Sequence, residues 1–278
     1  MNQRIFRFRG SSWPMGQKTY VLGILNVTPD SFSDGSVQNI DPHYQVEKAA
    51  RLLEEGADGL DLGAESTRPG HQAVSPEDEW ERLGPVLRAV RKAFPTVPLS
   101  VDTQKAAIAY RALAEGADII NDIWGLSREP AMARAIMDHG AGCILMYNVE
   151  GNPAEPVSVA ELRAFFTRQL EETSIPPETV LIDPGIGFRV QGDSSWQALT
   201  HSHELSNLGA GILIGHSRKR FLGAAAGVVN PGERDLATAV LSALLAVDGV
   251  DVLRVHNPDA TRQAVAVAQQ WRRFHGTH

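Results

Sequence analysis

Two clusters of cations late in the chain are the residues best suited to chemistry. Ser217-Arg218-Lys219-Arg220 follows the apolar run Gly211-Ile212-Leu213-Ile214, and Arg254-Val255-His256 closes a second run, Val250 to Leu253. An arginine guanidinium engages phosphate oxygens through two parallel N–H groups, so cations at the ends of buried strands point to a bound anion. The chain is acidic overall, with net charge −7 from 26 Lys and Arg against 33 Asp and Glu, so these cations are local and placed. The same balance argues against nucleic acid as a partner.

Other apolar runs end in polar residues too: Asn26, Asp61, Asp102, Asn121 with Asp122, Tyr147 with Asn148, and Asp183. Any one of them alone reads as an ordinary turn residue. A polar side chain at nearly every strand end is not explained by packing. Asp102, Asn121 and Asp183 are short carboxylates and an amide from non-adjacent strands, suited to a flat heterocycle bearing several N–H groups. One charge-assisted pair of that kind is worth about 1.5–3 kcal/mol. Arg254, His256 and Asn26 lie on the last and first strands, neighbours once a barrel closes, and suit an anionic leaving group. The competing reading of Arg254 is an ion pair with a barrel carboxylate.

What positions these residues is a repeating unit. Glu55-Gly56-Ala57-Asp58, Glu115-Gly116-Ala117-Asp118, His139-Gly140-Ala141-Gly142 and Asp248-Gly249-Val250-Asp251 each end a helix-like segment at glycine and lead into a short apolar strand. Such strands read as buried on both faces, hence parallel. Strands are expected near 21–25, 59–62, 99–101, 119–120, 144–146, 180–182, 212–214 and 252–255. Helices are expected at 43–55, 76–94, 104–115, 129–139, 158–173, 194–207, 234–248 and 258–272. Strict alternation without a composition break predicts α/β class, a single-domain (β/α)8 TIM barrel over 1–278, with residues 1–20 as a leader packed on the barrel floor. The runner-up is an open doubly wound sheet, which lacks its usual G-x-G-x-x-G after an early strand.

The length of 278 residues suits one such barrel, and 43% hydrophobic with 21% charged residues is ordinary for a globular chain. No apolar run approaches the roughly 20 residues of a membrane span, and the N-terminus has no apolar signal region. The single cysteine, Cys143, lies in an apolar run and reads as a buried core residue rather than a nucleophile. A cytoplasmic location is expected.

Seven segments, in order over about residues 20–260, resemble the dihydropteroate synthase family of pterin-binding barrels in folate biosynthesis. They are residues 23–35, Glu65-Ser66-Thr67-Arg68-Pro69-Gly70, Ser100-Val101-Asp102-Thr103, Ile120-Asn121-Asp122-Ile123, Asp183-Pro184-Gly185-Ile186-Gly187-Phe188, Ser217-Arg218-Lys219 and Arg254-Val255-His256. The resemblance implies a reaction in which p-aminobenzoate displaces pyrophosphate from 6-hydroxymethyl-7,8-dihydropterin pyrophosphate. It implies pterin contacts at Asp102, Asn121, Asp183 and Lys219. It places pyrophosphate at Asn26, Arg254 and His256, with Mg2+ at Asn26. It assigns the aminobenzoate site to Phe32, Thr67, Arg68, Pro69, Phe188 and Ser217. Asp30, Lys219, Arg254 and His256 are the implied catalytic residues, Asp30 and Phe32 lying on a loop over 28–35 that closes on the site. A homodimer is also implied, and the apolar stripe Ala237–Val247 is a candidate for its face.

Two segments depart from the family pattern. Phe188 is followed by Arg189 rather than Gly-Lys, and Tyr147 with Asn148 stands where the family has His after Met146. The altered 188–193 segment motivates one rival, a catalytically silent relative that binds or regulates. A second rival is a pterin-dependent methyltransferase barrel, which has no use for the Ser217-Arg218-Lys219 cluster.

Overall fold

The computed structural model describes residues 3–27, 40–65, 74–151 and 156–275. Eight parallel strands close into a barrel: β3 (Tyr20–Asn26), β4 (Gly59–Gly63), β5 (Leu99–Asp102), β6 (Ile119–Asp122), β7 (Gly142–Met146), β8 (Val180–Asp183), β9 (Gly211–Ile214) and β10 (Val252–Val255), with β10 pairing back onto β3. Helices alternate with them: α1 (Pro42–Glu54), α2 (Pro76–Ala93), α3 (Ala106–Ala114), α4 (Pro130–Asp138), α5 (Val159–Thr173), α6 (Asp193–Thr200), α7 (Arg220–Ala226), α8 (Asp235–Val247) and α9 (Pro258–His275). The (β/α)8 barrel expected from the repeat is the fold observed. α7 escaped the sequence reading because seven residues rich in Ala and Gly carry no apolar period. The helix expected over 194–207 stops at Thr200, and a separate 3-10 turn spans Ser202–Leu205.

Each strand is apolar in both directions because it separates two cores. Val101, Ile120, Leu145 and Ile182 face outward into the helix layer. Leu22, Ile119, Ile144, Leu181, Leu213 and Val252 fill the barrel interior. Residues near the N-terminus form an antiparallel hairpin, β1 (Ile5–Phe8) and β2 (Ser11–Pro14), not foreseen as strands. Phe6, Phe8 and Trp13 from this hairpin join the interior cluster, and Trp13 stacks on Tyr20 at 4.5 Å between centroids. Gly142 opens β7 where any Cβ would stand 2.6 Å from the Phe6 ring.

Three copies of the repeat, each a glycine with an aspartate two residues on, form clamps beneath the barrel. Asp58 accepts from the Val21 amide at 2.8 Å, Asp118 from the Leu99 amide at 2.9 Å and Asp251 from the Ile212 amide at 3.0 Å. An arginine closes each: Arg262 on Asp58 at 2.5 Å, Arg91 on Asp118 at 2.5 Å, Arg4 on Asp251 at 2.9 Å. Arg262 and Arg91 also donate to the carbonyls of Gly56 and Gly116, at 2.7 and 2.8 Å. Both glycines hold positive φ, where a side chain would meet that arginine as well. Order at this end leaves the opposite rim, where strands end, available for chemistry.

Candidate active site

The register sets the site's floor. Asn26 pairs with Gly63, Gly63 with Asp102 and Asp102 with Asn121, so these residues lie at one level around the wall. Gly63 leaves space between Asn26 and Asp102. Asp61, one step below and also turned inward, is fully buried. Its Oδ2 accepts from the Asn121 side chain at 3.1 Å and from Arg254 Nε at 2.5 Å. Arg254 Nη2 reaches Asp102 at 2.9 Å. A continuous polar chain, Asn121–Asp61–Arg254–Asp102, therefore crosses the barrel.

The charges perturb one another. Burial pushes Asp102 up to about 7; Asp61, Glu79 and Asp122 add to the rise and Arg254 opposes it. Burial pulls against Arg254's charge, but Asp61 and Asp102 outweigh it and hold the guanidinium protonated. Asp183 at the end of β8 is raised by burial, against the Gly185 amide, which donates to its Oδ1 at 2.8 Å, and against Lys219 and Arg254. Burial, with Arg254 adding, holds Lys219 down to about 8. Its ammonium donates to the Ile186 carbonyl and lies 4.4 Å from the Phe188 ring centroid. Gly187, at φ +81°, makes that path possible, because a Cβ there would collide with Lys219 Cδ.

On the other side, the Ser217 hydroxyl and His256 Nδ1 are 2.9 Å apart, and the His256 amide donates to Ser217 Oγ at 3.2 Å. His216 behind them is fully buried, its Nε2 within 2.9 Å of Ser242 Oγ, and burial holds it down to about 4.

Nine expected site residues thus stand around the barrel mouth: Asn26, Asp102, Asn121, Asp183, Phe188, Ser217, Lys219, Arg254 and His256. Asp30, Phe32, Thr67, Arg68 and Pro69 lie outside the described residues. Two contacts add to the expectation. Arg254, expected to hold pyrophosphate, also pairs with the barrel carboxylates Asp61 and Asp102. Ser217 and His256, placed in different halves of the site, are bonded to each other. Asp61 had been noted only as a strand end; its inward alternation with Gly59 and Gly63 was the signal for its part in the site.

The departing residue Tyr147 faces away from the mouth. Its hydroxyl donates to Glu161 on α5, and its ring meets Phe165 edge-on at 5.1 Å. Arg189 is buried as well. Glu65 accepts from the Val74 amide at 3.1 Å and from Lys105 at 2.6 Å, and Lys105 also binds the fully buried Glu79 at 2.5 Å.

Residues 22–256 match the family of pterin binding enzymes. The chain belongs to that family. Among its relatives, the dihydropteroate synthase of Synechocystis is 38% identical, the alignment covering 92% of each chain. Within this pterin-binding family, the Xanthomonas albilineans dihydropteroate synthase with 4-aminobenzoic acid superposes with a TM-score of 0.88, at 36% identity over 100% of both chains. The Thermus thermophilus dihydropteroate synthase in complex with 6HMPPP gives 0.83 at 34% identity, over 96% of this chain and 99% of that one.

Proposed function

We infer that the chain is a dihydropteroate synthase, a transferase that condenses 6-hydroxymethyl-7,8-dihydropterin pyrophosphate with p-aminobenzoate to give 7,8-dihydropteroate and pyrophosphate. The observation that carries this reading is the set at the mouth: the buried Asn121 and Asp183 with the half-buried acceptor Asp102 and cation Lys219, beside Arg254. Such a set matches a flat heterocycle with N–H donors on one edge and a carbonyl on another.

The chemistry breaks the C–O bond between the pterin methylene and pyrophosphate and forms a C–N bond to the arylamine, which then gives up a proton. Negative charge grows on the departing pyrophosphate, and Arg254 with His256 stands where it can be met. Positive charge grows on the methylene, and a ring held by Asp183 releases electron density toward it. The aniline is a weak nucleophile and needs placement more than a base, the part read for Phe188 and Ser217. Asp30, with Phe32, Thr67, Arg68 and Pro69, completes the reading outside the described residues.

Mg2+ belongs to the same proposal. Among the described residues no group of three His, Cys, Asp or Glu side chains could hold a metal. Asn26 offers a single amide oxygen, which fits an ion that keeps most of its waters and takes other ligands from a diphosphate. Bound there, the ion would neutralise leaving-group charge.

A homodimer is proposed from the outer face of α8 and α9. The expected stripe splits: Leu241 and Leu245 are buried, whereas Val240 and Leu244 are exposed, as are Leu236, just before the stripe, and Val267, Trp271 and Phe274 on the neighbouring α9. Large exposed apolar side chains gathered on two packed helices support an interface there. Sedimentation at micromolar concentration should give a dimer, and a monomer would remove the proposal. No described helix is long and apolar enough to cross a membrane. Placement in the cytoplasm rests on the lone, buried thiol of Cys143.

Purified protein given both substrates and Mg2+ should release pyrophosphate, and a chelator should abolish the release. No turnover above background would favour the silent relative. Methyl transfer from a methylated folate without pyrophosphate chemistry would favour the methyltransferase.

A further inference from the structure

Arg218 is a non-glycine residue at φ +58°, in the left-handed region, midway between Ser217 and Lys219. Such a conformation persists only where the surroundings fix it. Here both backbone groups and the guanidinium of Arg218 are engaged. Its amide donates to Thr238 Oγ1 at 3.1 Å, and its carbonyl accepts from Arg234 Nη1 at 2.9 Å. Its guanidinium turns away from the mouth and grips Asp235 with two bonds, Nε to Oδ1 at 2.6 Å and Nη2 to Oδ2 at 2.8 Å.

Asp235 holds a second loop as well. Its Oδ2 accepts from the Asn257 side chain at 3.1 Å, and Asn257 directly follows His256. The first residue of α8 thus joins the turn after β9, which carries Ser217 and Lys219, to the turn after β10, which carries His256. Within the site the same two turns meet through Ser217 and His256. The Arg218 and Asp235 charges reinforce this link, since the fork bonded to Asp235 holds its carboxyl below the usual carboxylate range.

We propose that Arg218 and Asp235 are a positioning pair that fixes the Ser217–Lys219 turn against His256, so that arylamine and leaving group are presented in register. Neither side chain touches substrate. The proposal rests on the functional reading above. In a strand-end site a displacement of one ångström costs up to roughly 100-fold in rate, so a loosened turn is felt in turnover before it is felt in folding.

The test uses the full-length enzyme and steady-state kinetics in both substrates. Asp235→Ala and Arg218→Gly, the latter keeping the left-handed backbone, should each lower kcat roughly tenfold. Their thermal midpoints should stay close to that of the parent. The double variant should lose no more than the worse single variant, because one connection is broken either way. Arg218→Lys, which keeps the charge and loses the fork, should fall between. Wild-type kcat and KM in Asp235→Ala, or losses that multiply in the double variant, would overturn the pair. Should Asp235→Ala fail to fold, Arg218→Gly and Arg218→Lys decide alone. Parent enzyme without turnover would instead count against the functional reading, and the pair would then be judged by pterin affinity, which the same variants should weaken.

Discussion

Asp61 and Asp102 share one guanidinium, and that sharing governs what mutation of Arg254 will do. Removal of a partner from a buried ion pair typically costs about 3–5 kcal/mol. Arg254→Ala should therefore lower the thermal midpoint as well as turnover, and should weaken pterin binding by disturbing Asp102. A stable but inactive Arg254→Ala would show that the carboxylates do not depend on it. Asp183→Asn removes one charge-assisted pair and should cost about 2–3 kcal/mol of pterin affinity by calorimetry; unchanged affinity would take Asp183 out of that role. Burial holds Lys219 down to about 8 and pushes Asp102 up to about 7, so pterin affinity should be greatest between those values, declining above as Lys219 loses its proton and below as Asp102 gains one. Lys219→Arg should push the upper decline beyond the measurable range. The sign for stability is opposite. The unfolded lysine keeps its proton up to about 10.5, so the folded chain is penalised below about 8 and the penalty fades as pH rises to 10.5. Lys219→Met should be more stable than the parent at neutral pH, by a margin that shrinks in alkali. The identity of these residues was readable because each follows an apolar run. Their partners were not: strand order says nothing of how far a guanidinium reaches across a barrel, and Asp235, first in its helix, reads as an ordinary first-turn acid.

Secondary structure was legible where one physical signal dominated. All eight barrel strands announced themselves as apolar runs, four of them led in by the glycine repeat, yet most were read a residue or two short. Asp102, Asn121, Asp122 and Asp183 are strand residues whose polarity belongs to the site, not to a turn. The β1–β2 hairpin was missed although Phe6 and Phe8 flank the exposed Arg7 with the period of a strand, because four residues give too short a run to weigh. The loop after β8 shows how tightly an element can be tied to function. Gly187→Ala places a Cβ against Lys219 within a left-handed turn, and the lysine must leave its position over Phe188. Loss of pterin affinity well beyond the fall in thermal stability is expected. Parental affinity in the Gly187→Ala variant would separate the loop from the lysine.

At the scale of the molecule, the barrel divides its work between two rims. Bonds at the glycine end hold strand starts together, and perturbed charges collect at the other. The three arginine clamps look equivalent in space but not along the chain. Arg91 and Asp118 are 27 residues apart, whereas Arg262 and Asp58 are separated by 204 and Arg4 and Asp251 by 247. The first can form inside a short stretch of newly collapsed chain. The other two close only when the first and last strands have met. In kinetic terms they are latches: substitution of Arg91 should slow refolding, while substitution of Arg4 or Arg262 should leave refolding nearly unchanged and speed unfolding. Stopped-flow arms in denaturant read the two effects separately. The ring is thus assembled by its local clamp and kept shut by its distant ones, so the lifetime of the closed barrel is set at its chain ends, far from the chemistry it protects.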